Sequence, residues 1–341
     1  MQISPVTRVD TIARESFLAD YKDQQIPLVI TNLSRNWPAR DKWNFDYFCQ
    51  TFGDNVVPLY GCEEAKGHRH QHAHIAEMRF GDYIQELKQG NNKLRMFFYN
   101  ILQQVPALLR DFSYPEIGLK LFKKLPVLFF GGKGTKVQLH FDIDWADLLL
   151  CHFGGQKRVY LFPYDQTKYL YHVPYSFSGL SDIDMDRPDF QRFPALQQAK
   201  GSLAILNHGD VLYIPHGYCH YIIYDEASFS MTLRALPRKL SHVWQLVYNI
   251  IYVRTIDGLM RRWLGQPWNE RNRQRLGGDA ELALRKQWQH GPLEADQPAD
   301  ERVDRNEQRE LPPVRAESQA NRWCGFDAGE TNGQGTDPGT R

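Results

Sequence analysis

Cysteine is scarce in this chain and shows no pairing. Cys49, Cys62, Cys151, Cys219 and Cys324 are scattered, odd in number and never spaced as C-x-x-C. A disulfide framework and a thiolate zinc site are both disfavoured on that ground. Net charge is also nearly missing. Lys and Arg total 41 against 40 Asp and Glu, which leaves +1, so no global field points to nucleic acid or to an anionic membrane. The first residues, Met1 to Asp10, lack the basic-then-apolar order of a secretory signal. A reducing, cytoplasmic setting is the expectation. No internal repeat is visible. The longest apolar stretch, residues 240–264, is interrupted by Arg254, Asp257, Arg261 and Arg262, which argues against a membrane span.

Apolar material is present, at 42% hydrophobic and 13% aromatic content, enough for a substantial core. Much of it comes in short runs rich in Phe, Tyr, Val, Ile and Leu, divided by Gly, Pro and Asp turns. Such runs occupy residues 96–100, 127–130, 148–153, 159–162, 202–206, 211–214 and 228–234. Their density predicts an antiparallel barrel or sandwich. Ahead of them, residues 26–31 read as a strand, residues 32–39 as a turn around Trp37-Pro38, and residues 44–48 as a helix ending before Gly53. A second helix is expected over 81–88, stopped by Gly90.

After Pro237 the pattern becomes helical. Val243, Leu246, Val247, Ile250, Ile251, Met260 and Trp263 recur at helix spacing, which suits a packing or homodimer-forming helix over 240–264 better than a membrane-surface one. Residues 280–289 read as a shorter, more polar helix. From 292 to 341 the chain is polar and poor in large apolar residues, so a disordered tail is expected. The divisions are therefore 1–238, 239–291 and 292–341.

His140-Phe141-Asp142, answered much later by His220, carries the most chemical information. Two imidazoles and one carboxylate can occupy one face of an octahedral iron(II) and leave the opposite face open. Two residues apart on a strand, His140 and Asp142 would point to one side. His220 follows Gly209-Asp-Val-Leu-Tyr-Ile-Pro215, a turn and a short apolar strand that a barrel could return beside the first pair. A second histidine group, His68, His70, His72 and His74, alternates as it would along a strand. It reads as a polar strand or substrate-facing wall in preference to a second metal site, because Cys62, Glu63, Glu64 and Glu77 sit at no convincing spacing.

Five blocks in order carry a family resemblance. They are Pro27-Leu-Val-Ile-Thr-Asn-Leu33 with Trp37-Pro38-Ala39, Leu139-His-Phe-Asp142, Gly155-Gln-Lys-Arg-Val-Tyr-Leu-Phe-Pro163, residues 186–194 around Arg187-Pro188, and the segment Gly209 to Pro215 leading to His220. Over roughly residues 5–236 the chain resembles the JmjC/cupin-like iron(II)- and 2-oxoglutarate-dependent oxygenases, among them the small hydroxylases typified by the asparaginyl hydroxylase of hypoxia-inducible factor. The fold this implies is mainly β with flanking helices: a double-stranded β-helix of the jelly-roll or cupin kind, followed by C-terminal helices.

The resemblance implies that His140, Asp142 and His220 are the iron ligands and the catalytic centre. It implies Lys157 as the partner of the 5-carboxylate of 2-oxoglutarate, with Arg158 turned to the opposite face. Arg234 falls where the cofactor's 1-carboxylate is often steadied, although a salt bridge to a structural acid suits it equally. Tyr99 falls where a tyrosine meets the 5-carboxylate, with core packing as the alternative. Val137 stands where the family commonly has threonine, leaving Tyr99 or Gln138 to supply that contact. The stretch between His140 and Lys157 is about two residues longer than usual, and Trp145 within it is read either as a substrate platform or as packing. The activity implied is hydroxylation of a C–H bond, with O2 and 2-oxoglutarate as co-substrates. A protein side chain is the leading substrate class; RNA or a small molecule is the alternative, and demethylation is a variant of the same chemistry. Two other classes stay open: a non-catalytic cupin that binds a metal or ligand, and a cupin enzyme that works without 2-oxoglutarate.

Overall fold

The run from Leu148 to Cys151 is apolar on both its faces, which suits a strand covered on both sides. In the computed structural model of the chain it lies inside a sheet, with paired strands to either side. The structure describes residues 1–61, 74–90, 93–173, 175–265 and, beyond these, 267–268, 270–272 and 275–276. In chain order the strands are β1 (Gln2–Pro5), β2 (Thr7–Val9), β3 (Leu28–Ile30), β4 (Val56–Tyr60), β5 (Ala76–Arg79), β6 (Arg95–Asn100), β7 (Val127–Gly131), β8 (Lys136–His140), β9 (Asp147–Phe153), β10 (Lys157–Phe162), β11 (Lys200–Leu206), β12 (Val211–Ile214), β13 (Cys219–Tyr224) and β14 (Ser228–Ala235).

They form two sheets, ordered β1-β11-β10-β13-β8 and β2-β3-β12-β9-β14-β7-β6-β4-β5. Leu148, Leu150, Leu212 and Ile214 of the larger sheet pack with Val159, Leu161, Ala204 and Leu206 of the smaller in one buried cluster. The sheets therefore face each other, as in a jelly roll. Period-two alternation turns Leu149, Cys151 and Phe153 the other way. They meet Phe17, Trp43, Phe48, Phe80 and Tyr83 of the N-terminal segments. On the outer side of the smaller sheet, Leu139, Phe162, Tyr221 and Ile223 are covered by Leu170, Met185, Phe193 and Leu196.

The expected helices form at Phe45–Phe52 and Phe80–Gln89. The Asn44 side chain accepts a hydrogen bond from the Tyr47 amide at 2.9 Å, satisfying one of the free N–H groups of the first turn. Gly90 closes the second helix at φ 73°, a left-handed position that glycine takes without strain. Three expectations need correction. Residues 38–42 form a helix opened by Pro38 at its first turn and not only a turn, since proline needs no N–H partner there. β4 went unread because Pro58 lies inside it, and proline ordinarily argues against a strand. Finally, β8 ends at His140, so Asp142 stands in the turn beyond it and not on the strand.

Residues 240–264 are helical throughout but pass through a wider π-helical stretch, Tyr248–Val253, between the helices Leu240–Val247 and Arg254–Leu264. Asn249, 2% exposed, donates from its side chain to the Ile143 carbonyl at 3.2 Å and ties this segment to the turn that carries Asp142. Leu240, Trp244, Ile251 and Trp263 on the segment are exposed. Among the described residues no helix is long and apolar enough to cross a membrane. The helix expected over 280–289, the tail from 292 and most of the histidine cluster, residues 68–73, lie outside the described residues.

Candidate active site

His140 and His220 are direct cross-strand partners on β8 and β13, so their side chains leave one face of the smaller sheet together. Their ring centroids are 4.1 Å apart. Asp142 returns from the following turn, and one ligand atom from each of the three residues lies within 4.8 Å of the others. Nδ1 of His140 is 2.9 Å from the Gln138 carbonyl, and Nδ1 of His220 is 3.3 Å from the Tyr218 carbonyl. A carbonyl can only accept, so each Nδ1 carries the proton and each Nε2 keeps a free lone pair.

The protonation states agree with that arrangement. Burial drives the His140 imidazole down to about 3, with His220 beside it acting in the same direction. Burial lowers His220 as well. Burial alone would raise the Asp142 carboxyl, but the Arg234 guanidinium, then His220 and His140, hold it below its ordinary value. At neutral pH the group presents two neutral imidazoles and one carboxylate. That donor set fits a divalent iron with open coordination positions.

Arg234 is buried, and its Nη1 lies 3.2 Å from Asp142 and 2.9 Å from Asp144. Of the two roles open to it, the pairing with acids is the one formed in the structure, and one of those acids is a candidate metal ligand. Asp144, whose carboxyl burial pushes up against the pull of Arg234, was not singled out from the sequence. Its signal was a second acid two residues after Asp142.

Two cavities meet at this group. The inner one lies between the sheets and is lined by His140, Asp142, His220, Lys157, Arg95 and Arg234 together with apolar strand residues, Val137 among them. Lys157 is 1% exposed. Its Nζ donates to Ser230 Oγ at 2.7 Å and sits 4.1 Å from the centre of the Tyr224 ring. Ser230 in turn lies 3.1 Å from Nδ1 of His152, whose Nε2 is 3.2 Å from the Gly155 carbonyl. That carbonyl fixes the proton on Nε2, so Nδ1 accepts from the Ser230 hydroxyl and the serine oxygen is left to accept from Lys157. Burial pushes the Lys157 ammonium down to about 7. Arg158, on the opposite face, pairs with Asp186 and Asp225.

The outer cavity is a cleft of about 890 Å³ that opens over His140 and Asp142. Tyr60, Phe97 and Phe98 line one side and Tyr175 and Phe177 another, while Arg254 and Asp257 come from the C-terminal helix. Tyr99 borders this cleft and not the inner cavity; it is buried in the core beside Phe80, the packing role left open above, and its hydroxyl accepts from Asn55 Nδ2 at 3.3 Å. The cause is a bulge between Met96 and Tyr99, with Phe98 at φ 57°, which breaks the alternation of β6. Arg95, Met96 and Phe97 of this strand line the inner cavity; Arg95 is the charged one among them, and its signal was a charge at the head of a mostly apolar strand. Gln138 lines neither cavity, and neither does Trp145. Trp145 is buried at φ 51° against Phe141 and Tyr164, which settles it as packing.

The sequence profile described as a cupin-like domain matches residues 13–235, which takes in every strand but β1 and β2. The chain belongs to the JmjC/cupin-like oxygenase family. It is similar to tRNA wybutosine-synthesizing protein 5 of Gallus gallus, 26% identical over 67% of this chain and 76% of that protein. It is also similar to lysine-specific demethylase JMJ30 of Arabidopsis thaliana, 29% identical over 62% of this chain and 50% of the relative. Lysine-specific demethylase 8 of Xenopus tropicalis is 28% identical over 64% of this chain and 50% of its own length. The chain thus spans about half the length of the two demethylases.

Proposed function

We propose that this member of the oxygenase family uses iron(II), O2 and 2-oxoglutarate to hydroxylate a C–H bond, in a protein side chain, and releases succinate and CO2. One observation carries the reading: the His140–Asp142–His220 group lies where a small inner cavity ending in a buried lysine meets a large aromatic outer cleft. The two spaces fit the two organic reactants, with the reacting centre between them. Bound at the group, iron(II) supplies the oxygen-activating chemistry, driven by oxidative decarboxylation of 2-oxoglutarate.

The chain's own residues hold the parts in place. His140 and His220 offer oriented lone pairs. Asp142 remains anionic beside Arg234, which also keeps Asp144 from competing for the centre. Lys157, held by Ser230 and the Tyr224 face, receives the distal carboxylate. Thr232 Oγ1 and Arg234 Nε are buried with no hydrogen-bond partner in the protein, and Thr232 and Arg234 both line the inner cavity. A polar ligand seated there satisfies such groups.

An RNA substrate is the second reading. It draws on the likeness to the tRNA-modifying relative and on Tyr60, Phe97 and Phe98 in the outer cleft, since aromatic faces stack bases as readily as they hold side chains. The exposed apolar positions of the C-terminal helices support a homodimer formed through residues 240–264.

The reading is tested by anaerobic titration of iron(II)-loaded protein with 2-oxoglutarate, followed by visible absorption. Chelation of the metal by a 2-oxo acid gives a metal-to-ligand charge-transfer band. The band is expected in the wild type and absent in His220→Ala and Asp142→Ala. A wild-type protein with no band and no bound metal would remove the proposal.

A further inference from the structure

We infer that Arg95 is a second anchor for the distal carboxylate of 2-oxoglutarate, forming with Lys157 a paired-cation seat at the inner end of the cavity. The inference rests on the function proposed above and adds a residue and a selectivity to it.

Placement comes first. Arg95 is the cross-strand partner of Gly131 on β7, and direct partners in an antiparallel pair project from the same face. A Cβ on Gly131 would stand 2.7 Å from the Tyr224 ring, so that face is the one against which Tyr224 lies. The same ring carries Lys157 Nζ at 4.1 Å. Arg95 and Lys157 thus approach the Tyr224 end of the cavity from opposite sheets, and both line it.

Charge balance comes next. Among the described residues, neither Arg95 nor Lys157 has a carboxylate within ion-pair distance, whereas Arg234 has two. The inner cavity therefore holds two basic side chains, neither paired with a carboxylate, and their charged forms are costly to bury unless an anion joins them. Hydrogen bonding points the same way. Arg95 donates from Nη2 to the Gly61 carbonyl at 3.2 Å, while its Nε is buried with no acceptor. A guanidinium with donors in hand takes a carboxylate in a two-point contact that lysine, a point charge, cannot make. Tyr99, which the family resemblance implied for this contact, does not line the inner cavity and is packed in the core beside Phe80.

Two cations facing one carboxylate should make the site strongly selective for a dianionic 2-oxo acid. The test uses full-length Mn(II)-loaded protein and calorimetric binding of 2-oxoglutarate and of 2-oxopentanoate, which has a methyl group in place of the distal carboxylate. Arg95→Met should weaken 2-oxoglutarate by about 10- to 100-fold, the range of one charge-assisted contact. It should leave 2-oxopentanoate within about 2-fold, and Arg95→Lys should recover part of the loss. Arg95→Gln, which keeps a polar side chain without the charge, replaces the methionine variant if that fails to fold. Wild-type affinity in Arg95→Met, with loss only in Lys157→Met, would overturn the role of Arg95 and leave the 2-oxoglutarate reading standing. Equal weakening of both ligands would make Arg95 a packing residue and also overturn the inference. A wild type that binds neither acid would overturn the inference and the proposed function together.

Discussion

Loading the protein with 2-oxoglutarate at pH 8 should draw close to one proton per site from the buffer, and Lys157 is the group that takes it. Burial lowers its ammonium from 10.5 to about 7, a cost to the charged form of about 5 kcal/mol. The sign follows from comparing the two states of the ligand-free chain. Unfolded, Lys157 keeps its proton up to about pH 10; folded, only to about pH 7. Within that window the unfolded chain binds the extra proton, so this residue lowers stability as pH falls through it. A carboxylate beside Nζ reverses the balance by restoring the charged form. Uptake on binding should then be about 0.1 proton at pH 6, about 0.5 at pH 7 and about 0.9 at pH 8. Calorimetry of the Mn(II)-loaded protein in buffers of different ionisation enthalpy reads this number directly. A buffer-independent enthalpy at pH 8, or the same uptake in Lys157→Met, would refute the reasoning.

Three further outcomes follow from particular contacts. Arg234→Met leaves Asp142 and Asp144 side by side without their cation, and should cost about 3–5 kcal/mol in urea unfolding of the metal-free protein; an unchanged midpoint would show that the pair is not held as described. Gly217→Ala meets both a left-handed backbone at φ 75° and the Trp145 ring at 2.7 Å from the new Cβ. Its melting temperature should fall by an amount corresponding to about 1–3 kcal/mol, and a neutral result would contradict the packing of Trp145. Trp244→Glu combined with Ile251→Glu should convert a dimer to a monomer in sedimentation velocity if the exposed face of residues 240–264 joins two copies. A wild type that already sediments as a monomer would exclude that interface.

Much of this was legible from side-chain chemistry. His140, Asp142 and His220 were readable as a metal group because the ordered blocks around them match one family, and short apolar runs between glycine and proline turns announce packed strands. Lys157 was readable because the alternation of β10 holds: Lys157 faces in and Arg158 faces out. The misplacements occur where alternation breaks. The resemblance implies a cofactor contact for Tyr99, but the bulge between Met96 and Tyr99 turns it into the core and leaves Arg95 as the polar residue of β6 at the inner cavity. A second irregularity, between His220 and Ile222, puts Val137 and His140 on the same cavity although they are an odd number of residues apart. Bulges have no compositional mark of their own. Asp144 and Arg234 are 90 residues apart, and nothing local in either segment announces the other. Trp145 turned inward because Gly217 leaves room for its ring, which is a tertiary fact.

The central claim is that this chain couples oxygen to the decarboxylation of 2-oxoglutarate at His140, Asp142 and His220. Its most direct test is oxygen-dependent succinate formation, measured by mass spectrometry on iron(II)-loaded protein without any prime substrate. Slow succinate release is expected from the wild type, with none above background from His220→Ala. If the wild type, shown anaerobically to bind both iron(II) and 2-oxoglutarate, makes no more succinate than that variant, the claim is contradicted.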